Sequence, residues 1–303
     1  MTGSTAVDLG GAVVLGLESR IREGVAAFGH RDGRPFVAWV RPDGAAFEAT
    51  GLPSAGEVTS MCTTESFSVV VGESRPSVLF GNVDGMPDVI GETTFRPNDI
   101  YDVTEMADRF WVLCGDEDEF QLVLTGTGRL LAAECEVGEL NLDAPALHLV
   151  GDVDSLVVGA DDAGIYVAGD VADDDGSTGP LWVCPTTAGY GGWRPVALDP
   201  APDLVTDVRS GIVALAAGVR DGRAVVHELH GDVRTGPDPE VDPAWPRVFA
   251  DRGLLAAQTL TGPRLWLGDA EHVLPDGRLT AARSDGTGGV AWAIVDRILH
   301  RVG

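Results

Sequence analysis

Two arginines, an aspartate and a histidine pose the first chemical question. Arg247 and Arg283 stand in matching places ahead of short apolar runs, and Asp102 and His148 occupy the same column in two other segments. Ser60 and, after a one-residue shift, Thr206 complete that column. Two residues further on come Cys62, Thr104 and Asp285, with Asp207 and Arg209 close by. A guanidinium offers a planar fork to a carboxylate or phosphate, and histidine titrates near neutral pH. One reading is therefore that Arg247 and Arg283 bind an anionic group while Asp102 or His148 handles a proton. Ser60, Asp207, Arg209 and Asp285 would be further ligand-binding residues. The other reading is a water-filled channel lined by polar groups with no chemistry of its own.

Absences narrow the chemistry further. The chain has no lysine: all 21 cationic side chains are arginine, a bias expected of a GC-rich coding sequence. Schiff bases, a P-loop lysine and Ser–Lys dyads are thereby excluded. No G-x-S-x-G and no glycine-rich phosphate loop opening a helix occurs. His227 and His230 in "HELHGD" are three apart, so on a strand they face opposite ways and do not share a zinc ion. In "GDVADDDGST" (169–178) Asp173 and Asp175 precede Gly176, but Val171 stands where a calcium loop needs its first carboxylate, which favours a solvated loop. Cys62, Cys114, Cys135 and Cys184 form no C-x-x-C pair and read as buried thiols. No cofactor and no metal is expected.

The formal net charge is -26 and the pI about 4.3. Nucleic acid and anionic lipid both need clustered cations to displace counterions, so neither is an expected partner. No basic leader precedes the first apolar run, no run reaches membrane-spanning length, and Asn82, Asn98 and Asn141 lie in no glycosylation sequon. A cytoplasmic location is the expectation.

What positions the column is a repeat of strands. Helical periodicity is almost absent. Runs of four to eight β-branched and aromatic residues end instead at Gly, Asp or Pro, as in "VAAFGHRDG", "RFWVLCGDED" and "IVALAAGVRDG". The RDG, PDG, VDG and SDG turns suit tight hairpins, where glycine supplies a positive φ. The units recur about every forty residues, the WD40-like spacing of four-stranded blades. They fall at roughly 18–53, 54–94, 97–138, 143–199, 203–242, 244–276 and 277–303. The last holds only three strands, and "GAVVLGL" at the start is a strand no unit claims. The fold class expected is all-β: one closed β-propeller over residues 1–303, of seven four-stranded blades. Residues 11–17 would lie beside 297–302 and complete the last blade, leaving no open sheet edge. Trp39, Trp111, Trp182, Trp266 and Trp292 lie inside apolar strands and read as packing between blades.

"TTAGYGGWRPV" (186–196) resembles the Asp-box turn of sialidase-type propellers, with Thr187 and Trp193 at its ends, Gly191 in the middle, and Gly189 where the family has aspartate. The resemblance implies a structural turn at a blade's outer edge. "GEVTSMCTTESFSVVVGESRPSVLFGN" (56–82) is similar to a blade of regulator-of-chromosome-condensation-type propellers. Sialidase activity itself would need an arginine triad and a tyrosine nucleophile; Tyr101, Tyr166 and Tyr190 are the only tyrosines, and no arginine motif fits.

Two functions follow as expectations. With no catalytic or cofactor motif, and many acidic loops on a rigid scaffold, the first is a non-catalytic propeller that binds another protein, of basic character, or holds an assembly together. The second is an enzyme (a lyase, cyclase or hydrolase) acting on a small anionic substrate at the channel mouth, with Asp102 and His148 catalytic.

Overall fold

The computed structural model describes residues 3–19, 24–49, 52, 56–63, 67–71, 78–82, 89–92, 99–106, 109–116, 119–127, 147–149, 157–172, 178–185, 194–211, 213–231, 233–234, 236–285 and 289–303. Along the strands between 63 and 149, and at 170–172, 178, 184 and 185, it describes the backbone course alone.

Among the described residues every regular element is a strand. After β1 (Thr5–Ala6), the strands β2 (Val13–Ser19), β3 (Val25–Arg31), β4 (Arg34–Val40) and β5 (Ala46–Glu48) pair in order as the first sheet. The next sheet is β6 (Ser60–Thr63), β7 (Phe67–Val71), β8 (Val78–Asn82) and β9 (Val89–Glu92). Then come β10 (Asp99–Met106), β11 (Arg109–Asp116), β12 (Glu119–Thr127) and β13 (Leu147–Leu149), followed by β14 (Val157–Asp161), β15 (Gly164–Ala172), β16 (Thr178–Pro185) and β17 (Arg194–Pro195). These form a single eight-stranded sheet, because β13 pairs with both β12 and β15. A three-stranded sheet of β18 (Leu204–Arg209), β19 (Leu215–Arg220) and β20 (Arg223–Glu228) follows. After it come β21 (Val248–Asp251), β22 (Leu254–Thr259), β23 (Gly262–Leu267) and β24 (Ala270–Val273). The last sheet holds β25 (Leu279–Ser284), β26 (Ala291–Val295) and β27 (Ile298–Val302), with β1 beside β27.

The first strand of each run lies against its neighbours around an axis: β2 against β6 and β25, β6 against β10, β10 against β14, β14 against β18, and β21 against β18 and β25. Hairpin sheets packed face to face around their inner strands are a β-propeller. Five sheets stand as separate blades, not the seven four-stranded ones expected. Two local causes account for the difference. The short β13 bridges two runs of strands, His148 pairing with both Glu119 and Ala172. Beside β20, Pro237 and Pro239 interrupt what would be a fourth strand, since proline has no N–H to donate. Isolated bridges, Arg223 to Glu240 and His227 to Val233, stand there among the described residues.

The segment beside β27 also differs from the expected one. Residues 13–19 are the inner strand of the first sheet, and Thr5 and Ala6 pair with Arg301 and His300. Gly10 and Gly11, both at positive φ, turn the chain between the two segments.

The core lies between sheets. Val14, Leu17, Val25 and Phe36 of the first sheet pack on Trp292, Ile294 and Leu299 of the last, and similar clusters join β18–β20 to β21–β23 and β21–β23 to β25–β27. Second strands are squeezed on both faces, which explains their recurrent alanine pairs: Ala26–Ala27, Ala216–Ala217 and Ala256–Ala257 are all buried. Trp39, Trp182 and Trp292 are buried and Trp266 is half-buried, each adding a large apolar area to the packing. The Trp111 side chain lies outside the described residues.

Candidate functional site

Four inner strands share one irregularity. A bulge falls at Leu15 in β2, Tyr101 in β10, Thr206 in β18 and Thr280 in β25, where each strand has one residue more than its partner. Thr206 is itself the extra residue of β18. Its hydroxyl turns sideways into the next sheet, donating to Val248 O at 2.7 Å and accepting from Val248 N at 3.0 Å. A glycine faces two of these bulges. A Cβ at Gly29 would lie 2.1 Å from Val13 O, and one at Gly218 2.1 Å from Leu204 O.

Three residues beyond the bulge, Glu18, Arg209 and Arg283 come to equivalent places near the ends of their strands, and there they meet. Arg209 Nη1 donates to Glu18 Oε2 at 3.1 Å, and its Nε lies 3.8 Å from Asp251 Oδ2. Both terminal nitrogens of Arg283 donate to Asp207, each at 3.0 Å, in a bidentate pair. Asp251 closes β21 and gathers the rest: Ser19 Oγ at 3.0 Å, Ser284 N at 3.2 Å and Arg252 N at 2.7 Å. Burial lowers the affinity of the Arg209 guanidinium for its proton, but Glu18, Asp251 and Asp207 outweigh this and raise its pKa. Burial works against the Asp251 carboxylate; Arg209, Arg283 and the two N–H donors reverse this and hold it below the usual range.

The predicted residues therefore separate. Asp207, Arg209 and Arg283 are in the cluster, and Ser60, Cys62 and Asp285 are buried on or next to inner strands. Arg247 is elsewhere. It precedes β21 and its guanidinium lies 5.0 Å from the centre of the Trp245 ring, on which Arg278 also packs at 4.9 Å. Arg278 precedes β25 while Arg283 is near its end, roughly 15 Å along the strand at about 3.3 Å per residue. Asp102 follows the bulge of β10, the place Asp207 holds in β18. His148 is not on an inner strand as expected: β13 lies between β12 and β15, away from the inner strands β10 and β14. The side chains of Asp102, Thr104 and His148 lie outside the described residues.

Glu18, Ser19, Asp251 and Ser284 escaped the sequence reading. A signal was present: a charged residue followed by serine ends three inner segments, Glu18–Ser19, Arg209–Ser210 and Arg283–Ser284. The serines serve the joints between sheets. Ser210 Oγ accepts from Ala160 N at 2.9 Å, and Ser284 Oγ donates to Arg252 O at 3.2 Å.

A second buried carboxylate, Asp161, mirrors Asp251 at the end of β14. It accepts from Ala163 N at 2.9 Å, from Ala214 N of the following sheet at 3.3 Å, and from the Tyr166 hydroxyl at 3.1 Å. Tyr166 OH also contacts Nε2 of His230, and burial together with Asp161 raises the phenol's pKa. His227 is buried on β20, and His230 is exposed in the turn that follows it. Among the described residues no group of three His, Cys, Asp or Glu side chains is placed to hold a metal ion. Residues 173–177 of the acidic loop and 186–193 of the Asp-box-like turn lie outside the described residues.

No family model matches the chain, and no curated protein matches it by sequence. Solved structures do. The structure described as YCF48 bound to D1 peptide superposes with a TM-score of 0.58 at 10% identity, covering 99% of this chain and 97% of that one. The C-terminal WD40 domain of Sif2 gives 0.58 at 12% identity, covering 99% and 98%. Virginiamycin B lyase from Staphylococcus aureus gives 0.59 at 10% identity, again covering 99% and 98%. At these identities the likeness is one of fold, the all-β propeller.

Proposed function

We propose that this chain is an acidic propeller that binds another protein, or holds subunits of an assembly, and is not an enzyme of the axial channel. One observation carries the reading. Arg209 and Arg283, the axial cations suited to an anionic ligand, are already engaged by Glu18, Asp251 and Asp207 of the same chain. A bidentate, largely shielded guanidinium–carboxylate pair has little left to offer a substrate anion. The enzymatic reading needs Arg247 and Arg283 to converge with Asp102 and His148, and Arg247 and Arg283 lie toward opposite ends of the inner strands. The similarity to a lyase supports a common fold and no more.

Support for protein binding comes from the scaffold and its charge. Rigid blades carrying exposed loops suit recognition, and the propellers of similar fold include one bound to a peptide and a WD40 domain. A net charge of -26 favours a basic partner through long-range steering, and disfavours nucleic acid and anionic membranes. A cytoplasmic site of action belongs to the same reading. We further read the eight-stranded sheet as two blades joined edge to edge, β10–β13 and β14–β17. The ring then has seven positions, with β1 beside β27 as the closing strand. The unbroken series of neighbouring inner strands supports this.

The test is recovery of the tagged chain from its native cells after brief cross-linking, washed in steps of rising salt. One basic protein in fixed ratio, released as salt rises, is the expected result. Recovery of the chain alone at every salt concentration would overturn the proposal.

A further inference from the structure

Among the described residues the apolar clusters join each sheet to its neighbour around the axis. The axial cluster does more. β21 and β25 stand between β18 and β2 in the series of inner strands, yet Arg209 of β18 bonds Glu18 of β2. Ser19 of β2 bonds Asp251 of β21, passing over β25, and Arg283 of β25 reaches past β21 to Asp207. These contacts are largely shielded from solvent. Side-chain exposure is 17% for Arg209, 13% for Glu18, 8% for Asp251, 13% for Arg283 and 5% for Asp207.

We propose that these side chains form a cross-axis clamp, which fastens the first sheet to the sheets of β18 and β21 and closes the ring independently of the two-residue pairing between β1 and β27. The groups involved are Glu18 and Ser19 from β2, Asp207 and Arg209 from β18, Asp251 from β21 and Arg283 from β25. Water is largely excluded, so each bond is worth more than a surface pair, and losing one partner leaves a charge stranded. Either fastening then holds the first sheet when the other is removed. A chain with both removed is left, at the joint between β2 and β25, with the apolar packing of Val14, Leu17 and Phe36 on Trp292, Ile294 and Leu299, and would open there most readily. The clamp does not depend on what the protein binds.

A double-mutant cycle followed by hydrogen exchange tests this. The variants are deletion of residues 1–7, Ser19→Ala, the paired replacement Glu18→Gln with Arg209→Met, and each substitution combined with the deletion. Exchange is read at the β2 amides. In the full-length chain Ser19→Ala is expected to speed β2 exchange less than threefold, and in the deleted chain more than tenfold. The paired replacement is expected to behave alike with a larger ratio. Equal effects in the two backgrounds would overturn the clamp, as would a deletion that alone exposes β2 as fully as the combination. Ser19→Ala strands no charge, so it decides the matter even where the paired replacement fails to fold.

Discussion

Three buried titrating groups set how this protein should respond to acid. Asp251 has a folded pKa below the ordinary carboxylate range. Its contribution is complete above that range and is lost as pH falls through its folded value. His227 and His300 are both lowered by burial. The unfolded chain binds their protons first, so stability should begin to fall as pH drops below about 6.5, well before the carboxylates titrate. His300 is the clearer case, being buried on β27 with Nδ1 making no hydrogen bond among the described residues. His300→Gln should flatten the fall in melting temperature between pH 7 and 5; a slope unchanged from the parent would show that His300 does not carry it. The sequence made Asp207, Arg209 and Arg283 visible as inner-strand residues. It could not show them bonding to one another, because a column of aligned positions carries no information about which strands face across the axis. Arg247 is the instructive contrast, sharing the column yet stacking on Trp245 toward the opposite end.

Hairpins were the most legible elements. The unit G-x-R-D-G-R occurs at Gly29–Arg34 and again at Gly218–Arg223, and both copies form the same turn, with Asp32 and Asp221 at φ 52° and 50° and Gly33 and Gly222 at 70° and 73°. The positive φ of the turn glycines follows from the sequence; that of Asp32 and Asp221 does not, and neither does the leading glycine. Its reason lies across the sheet, where the bulged inner strand presses a carbonyl against it. Gly218→Ala should therefore cost about 2–3 kcal/mol in urea unfolding, as an overpacked site with no room to yield. A loss under half a kilocalorie would mean that the strand shifts freely. Thr206→Val removes the two-way bond to Val248 and buries that residue's N–H and C=O unpaired, for an expected loss of about 1–3 kcal/mol. A stability equal to the parent's would show that the bulge does not fasten the two sheets. Bulges themselves were illegible. One extra residue in a strand looks like any other until its partner strand is known.

At the scale of the whole chain, periodicity announced a propeller and left its irregular joints hidden. The short β13 and the prolines beside β20 alter pairing without altering the repeat length, and Thr5–Ala6, not residues 11–17, lies beside β27. Charge was fully legible. With -26 on a compact ring, self-repulsion opposes folding, and salt screens it within a Debye length of about 8 Å at physiological strength. Melting temperature should accordingly rise from 10 to 300 mM sodium chloride; a flat or falling curve would mean that the surface charges are already balanced locally. The central claim is that the axial arginines serve the fold and not a ligand. It is tested most directly by thermal titration of the intact protein with phosphate and with small carboxylates at constant ionic strength. A melting temperature that moves no more than in chloride is expected, for the parent and for Arg283→Gln alike. A saturable rise in the parent, abolished by Arg283→Gln, would contradict it.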